Sequence, residues 1–336
     1  MKTFRQYLFI LFLCFIALNL YVLKHYDLSY PYRLGPKLDG AIRQNHTKAI
    51  IEHAPQIVLI GDSTLADGVD TTRLSEQLGI PLYSIGLPGS ASTLWYLIIK
   101  NNVTKAPVPP KYVVIFFRDT MLTTPGYRVQ GQYLEQIDEY ASPKDELLME
   151  RAFIGLMNPF ERFAEAYLPI YTARWQMRAG IESRILSVSA QITGCSPSCE
   201  GDSLSYVFGD GNLSAQGLNE AISSANNELY THRALDFENQ VNKSFLPELI
   251  RLSQESKIQL VLVRIKTLEF TQPFPDLDDY MNNLKTYAQA NNVILLDFAG
   301  DPRLPSKLYR DILHLNDQGR IIFTDILTET LQPIVH

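Results

Sequence analysis

Residues 56–63 read Gln-Ile-Val-Leu-Ile-Gly-Asp-Ser. Gln56 to Ile60 is a short apolar run, rich in β-branched residues and stopped by Gly61. That is the pattern of a strand buried on both faces. Ser63 stands just beyond its end. Working outward, Thr72 to Leu78 has helical periodicity, and Pro81 to Ile85 is a second strand ending at Gly86. Ala91 to Ile99 reads as a helix, and Tyr112 to Phe117 as a third strand. The alternation resumes late in the chain. Pro247–Ser256 reads as a helix, Ile258–Ile265 as a strand, Asp276–Ala290 as a helix and Asn292–Leu296 as a strand. In the closing segment, Asn316–Leu331, the residues Ile322, Ile326, Leu327 and Leu331 fall on one helical face.

Strands alternating with helices predict a parallel sheet covered on both faces. Right-handed crossovers then give a three-layer α/β/α sandwich with a five-stranded parallel sheet, flavodoxin-like in type. Such sheets bind ligands beyond the carboxyl ends of their strands. The assignment therefore gathers Ser63, Gly86, Gly89, Arg118, Asp119, Asp311 and His314 along one sheet edge. Residues 120–245 interrupt the pattern and are too long to be a structureless loop. Within this insert, Glu146 to Gln176 reads as an aromatic-rich helix. Arg174, Arg178 and Arg184 recur in a helical stretch, where a solvated face is the plain reading.

The N-terminus is of a different kind. Tyr7 to Leu23 is almost wholly apolar and follows Lys2 and Arg5. Seventeen residues lie at the short end for a membrane span. The competing reading is a cleaved signal peptide, but Ala17-Leu18-Asn19 is a poor cleavage site. The expected organisation is a cytoplasmic N-terminus at 1–6, a signal anchor at 7–23, a stem at 24–55 and a domain at 56–336. The positive-inside bias then puts that domain outside the cytoplasm, on the periplasmic or extracellular face. Cys195 and Cys199 flank Ser-Pro-Ser, so a local disulfide and a pair of free thiols both stand as readings.

Several function classes drop out. The net charge is −6, with scattered Lys and Arg, so no nucleic-acid partner is expected. The chain has no P-loop, no G-x-G-x-x-G after a strand and no H-E-x-x-H. It also lacks the G-x-S-x-G elbow of the α/β-hydrolases. No metal ligands are expected, and no cofactor.

What remains is a serine with an aspartate and a histidine spaced three apart. A serine hydroxyl is a weak nucleophile at neutral pH and needs a neutral imidazole to take its proton. A carboxylate then fixes the imidazole tautomer and steadies the imidazolium. His25, His46 and His53 fall in the expected stem, and His336 is terminal. Only His232 in the insert competes with His314.

Gly61-Asp62-Ser63 after the first strand, a glycine after the second, and Asp311-x-x-His314 before the last helix together resemble the SGNH, or GDSL-type, hydrolase family. The resemblance covers residues 56–120 and 250–335. It implies Ser63 as nucleophile, with Asp311 and His314 as its activating pair. It also implies an oxyanion hole built from the Ser63 N–H, a glycine N–H and an asparagine. Gly89 fits the glycine best, with Gly86 the alternative. The family's Gly-x-Asn-Asp is here Phe116-Phe117-Arg118-Asp119, so the asparagine is missing. Either Arg118 takes its place as oxyanion or substrate contact beside Asp119, or Arg118 pairs with Asp119 and has no catalytic role. The single anchor and large insert resemble membrane-tethered members that acylate cell-surface polymers beside a multi-span membrane acyltransferase. The expected substrate is an acylated glycan or another acyl ester. The other reading is a non-catalytic glycan-binding or assembly protein on the same fold.

Overall fold

The computed structural model describes residues 2–174, 176–177, 180–181, 184, 226–268 and 275–336. The chain forms two compact units, Lys37–Ala152 with Asn219–His336, and Met1–Pro36 with Phe153–Leu218. Arg178, Cys195 and Cys199 lie outside the described residues.

The first of these units carries the sheet. After α2 (Asn45–His53), its strands and helices alternate. They run β1 (Ile57–Gly61), α3 (Ser63–Gly68), α4 (Thr71–Leu78), β2 (Leu82–Gly86), α5 (Ser92–Asn101) and β3 (Tyr112–Phe117). After a short helix, α6 (Gln132–Asp138), the alternation resumes with α9 (Leu246–Glu255), β4 (Gln259–Arg264), α10 (Pro275–Ala290), β5 (Ile294–Asp297) and α11 (Asp317–Val335). The five strands are parallel, in the order β2-β1-β3-β4-β5. This is the expected sandwich with flavodoxin-like strand order, and each strand lies within two residues of its predicted bounds.

The pleat explains why the strands read as unbroken apolar runs. Ile57 and Leu59 of β1, Val114 and Phe116 of β3, and Val261 and Val263 of β4 join one core with Leu65, Leu74, Phe323, Ile326 and Leu327 from α3, α4 and α11. The alternate residues Val58, Ile60, Val113, Ile115 and Leu262 point to the opposite face and are equally buried. Each such side chain contributes roughly 1.5–3 kcal/mol of burial. The order also fixes where a site can form. Strands are added on one side of β1 and then on the other, so the order switches between β1 and β3 and leaves a crevice beyond their carboxyl ends.

Some of the expected stem belongs to this unit. Residues 45–53 form α2, in which His46 is buried between Tyr83 and Tyr140, with its ring nitrogens 2.9 and 3.1 Å from the two hydroxyls. Residues 120–152 of the expected insert belong to it as well.

The other unit contains α1 (Lys2–His25), whose stretch Thr3–His25 is long and apolar enough to cross a membrane. It also contains α7 (Pro159–Tyr167) and α8 (Pro169–Thr172). The single helix expected over 146–176 is therefore broken. Pro159 and Pro169 each stand in the first turn of a new helix, where a proline's missing N–H costs nothing. In the middle of one long helix each would remove a hydrogen bond and clash with the preceding turn.

Candidate active site

The site grows from the turn that joins β1 to α3. Asp62 is the N-cap of α3, and its Oδ1 accepts from the Thr64 N–H at 2.9 Å and the Thr64 hydroxyl at 2.5 Å. This cap turns Asp62 inward, where it is buried, and leaves Ser63 partly exposed at the first helical position. Ser63 Oγ lies 2.8 Å from His314 Nε2. On the other side of the ring, Nδ1 lies 2.9 and 3.0 Å from the two oxygens of Asp311. A carboxylate there favours a proton on Nδ1, which leaves Nε2 to accept from the serine.

The loop carrying this pair is held by its own backbone. Arg310 N–H donates to the His314 carbonyl at 2.9 Å, and Tyr309 bridges Leu315. Asn316 caps α11 by accepting from the Gly319 N–H at 2.9 Å. The N–H groups of Leu313 and His314 both donate to Asp311 Oδ1 at 2.8 Å. Burial works to raise the Asp311 carboxyl, but the His314 ring and these two N–H groups outweigh it and bring it down to about 2. Asp311 is thus ionised whenever the fold is intact at ordinary pH. His232, the competing histidine, is exposed at the start of a short helix, His232–Leu235.

The loop after β2 reaches the same strand end. Ser90 donates through its hydroxyl to the Gly61 carbonyl at 2.9 Å and accepts from the Trp95 indole at 2.9 Å. Gly89, next to it, has φ +77, and a Cβ there would stand 2.4 Å from Tyr133. Both facts require glycine. At Gly86 a Cβ would meet that of Ala66 at 2.9 Å, so this glycine serves the approach of α3 to the end of β2.

Beyond β3 lies a buried polar cluster. Arg118 is 1% exposed. Its Nη2 stands 3.7 Å from Asp62 Oδ2, 3.4 Å from the Tyr127 hydroxyl and 3.5 Å from Asn226 Oδ1. Tyr127 also donates a short hydrogen bond to Asn226 Oδ1. Asp119 is held by Arg264, whose Nε and Nη2 donate at 2.8 and 2.5 Å, and by the Tyr230 hydroxyl at 2.6 Å. Arg264 reaches on to Asp297 at 3.2 Å.

The inward role of Asp62 and the partners Tyr127, Asn226, Tyr230 and Arg264 were not read from the sequence. Asp62 lies inside the quoted motif, and an aspartate preceding a helix is a recognisable cap. Asn226 and Tyr230 come from more than 100 positions away and carry no local signal. Among the described residues no group of three or more His, Cys, Asp or Glu side chains could hold a metal ion.

The chain matches no protein-family model and no curated protein. Among solved structures it is similar to a Bacteroides fragilis protein described as an acylhydrolase. The identity is 11% and the TM-score 0.42, covering 89% of this chain and 100% of that one. It is also similar to a GDSL-like lipase from Bacteroides thetaiotaomicron, at 11% identity and TM-score 0.38, covering 86% and 98%. A third is an acetylxylan esterase from Geobacillus stearothermophilus, at 11% identity and TM-score 0.37, covering 82% and 93%.

Proposed function

We propose that this protein is a serine esterase or O-acyltransferase of SGNH type, anchored in a membrane by α1 and acting outside the cytoplasm on acyl esters of a cell-surface glycan. The observation that carries the chemistry is the unbroken line from Ser63 Oγ through the His314 ring to Asp311, at 2.8 and 2.9 Å. Ser63 Oγ attacks the acyl carbonyl while His314 Nε2 takes its proton. The ester C–O bond then breaks, and the departing alcohol leaves with that proton. Water, or a sugar hydroxyl in the transfer reaction, next attacks the acyl carbonyl while giving its proton to Nε2, and Nε2 returns that proton to Ser63 Oγ as the acyl–Oγ bond breaks.

The developing oxyanion is assigned to the N–H groups of Ser63 and Gly89. Arg118 is assigned to holding Asp62, because its guanidinium is buried against that carboxylate. The reading predicts that a fluorophosphonate probe labels the native protein and not Ser63→Ala. It also predicts that p-nitrophenyl acetate turnover falls by about 10⁶ in that variant while the fold survives. Unchanged turnover in Ser63→Ala would sink the enzyme reading.

The departure at Arg118 favours one second reading, a non-catalytic glycan-binding partner of a membrane acyltransferase. That reading predicts no probe labelling in the native protein, with binding of an acetylated oligosaccharide preserved in Ser63→Ala.

A further inference from the structure

Helix α7 carries an aromatic stripe that nothing covers among the described residues. Phe160, Phe163 and Tyr167 are 70%, 53% and 54% exposed, and Leu156 just before the helix is 37% exposed. The spacing of three and four from Phe160 to Phe163 to Tyr167 puts these three on one side of the helix axis, and Leu156 lies in the turn that precedes the helix. The Phe163 and Tyr167 rings lie 5.3 Å apart. Ala164 and Ala166, which flank the stripe on either side, are buried. The helix start is fixed by a capping box between Asn158 and Glu161 with Pro159 in the first turn, so the stripe is a set feature of the unit.

The same unit contains the candidate span, and the two are joined near the span's end. The Asn19 side chain accepts from the Ile170 N–H at the start of α8, at 3.2 Å. Just past the span, the Tyr32 N–H donates to the Ala166 carbonyl of α7 at 2.9 Å, and the Tyr30 hydroxyl lies 3.2 Å from Thr172 Oγ1. Asn19 is roughly 9 Å along the helix axis from His25. Lys24 and His25 supply the basic last turn of α1. The joint runs from Asn19, inside the span, to Tyr30 and Tyr32 just past it, and so straddles the passage from hydrocarbon to headgroups.

We infer that the stripe Leu156–Phe160–Phe163–Tyr167 is a lipid-contacting face, and that α7 lies in the interfacial layer of the bilayer that α1 crosses. Aromatic side chains are the residues that favour this layer, and an apolar helix face sinks about 5–10 Å into it. The size of the stripe argues for lipid over a protein partner. Three aromatic side chains bury at most roughly 450–750 Å², short of the roughly 800 Å² per partner of a standard protein interface. Against a membrane no such minimum applies, because α1 already holds the unit there.

The inference rests on α1 being a span, and the test separates the two. The full-length chain is reconstituted in phosphatidylcholine–phosphatidylglycerol vesicles containing a phospholipid with a diazirine near the headgroup end of its acyl chain. After photolysis the adducts are mapped by peptide mass spectrometry. The expected result is adducts on α1 and on the 153–167 segment, with those on 153–167 falling about tenfold or more in Phe160→Ser/Phe163→Ser while those on α1 persist. Adducts on α1 alone would overturn the lipid-contacting face and leave the anchor standing. Adducts on neither would remove the span reading, and the inference with it.

Discussion

The two flanks of Ser63 differ in kind. On one side Asp311 and His314 sit 14% and 13% exposed, on a loop pinned by its own backbone, and hydrogen bonds run in line from Ser63 through the His314 ring to Asp311. On the other side Asp62 and Arg118 are almost sealed, 3% and 1% exposed, in a cluster shared with Tyr127 and Asn226. The first arrangement leaves the serine hydroxyl and the imidazole partly open to solvent. The second contains an ion pair at 3.7 Å that is almost shut off from solvent. A buried charge whose partner is removed has nowhere to find water, so this flank is suited to fixing geometry. Substitutions in the two flanks should therefore separate cleanly into losses of rate and losses of stability.

The largest expected effect is on rate. Asp311→Asn keeps the shape of the site but removes the charge that holds the His314 tautomer, so kcat should fall by about 10⁴ with KM little changed. Near-native kcat would mean that the carboxylate is only structural.

Next comes the buried flank. Arg118→Met leaves the Asp62 carboxylate buried without its cation and should cost about 3–5 kcal/mol in urea unfolding. Adding Asp62→Asn should recover part of that loss. In the folded fraction kcat/KM should change by less than about tenfold. A loss of roughly 10²–10³ there would instead make Arg118 a direct oxyanion donor.

Acid should erode the fold in two separable windows. Burial, with Arg43 nearby, pushes His46 down to about 4 from its ordinary 6.5. Between those values the unfolded chain holds the proton and the native state does not, so stability falls as pH drops from 6.5 through 4. Asp311 adds a lower window, from about 3.8 through about 2, because its native carboxylate stays ionised where the unfolded one is protonated. Thermal melts of His46→Gln should flatten the first window and leave the second.

The smallest effect should come from an exposed arginine close to the triad. Arg310 is 53% exposed and pairs with Asp67 at 2.6 Å. Arg310→Ala should cost under about 1 kcal/mol, in contrast to Arg118.

Much of this was legible in the residues. A strand buried on both faces must be apolar throughout, so Ile57–Ile60, Tyr112–Phe117 and Leu260–Val263 announced themselves. The serine at a strand end and the Asp-x-x-His pair were legible because their chemistry needs particular residue types. The expected helix over 146–176 is broken because Pro159 and Pro169 restart the backbone, a local signal that the apolar content of the stretch masks. His46 reads as part of the stem in sequence, because nothing local shows that Tyr83 and Tyr140 enclose it.

By itself, then, the sequence determined the strands, their parallel arrangement and the three residues that can act as nucleophile, base and orienter. Local patterns suffice for these, since side-chain periodicity follows from backbone geometry and reactivity from functional groups. Only the tertiary structure decided who partners whom. Placing β1 beside β3 brings the ends of both strands into one crevice and seats Arg118 on Asp62. The last part of the insert supplies Asn226 and Tyr230, and β4 supplies Arg264 to Asp119. Such pairings join groups more than 50 positions apart, and burial selects them through the cost of leaving a charge without a partner.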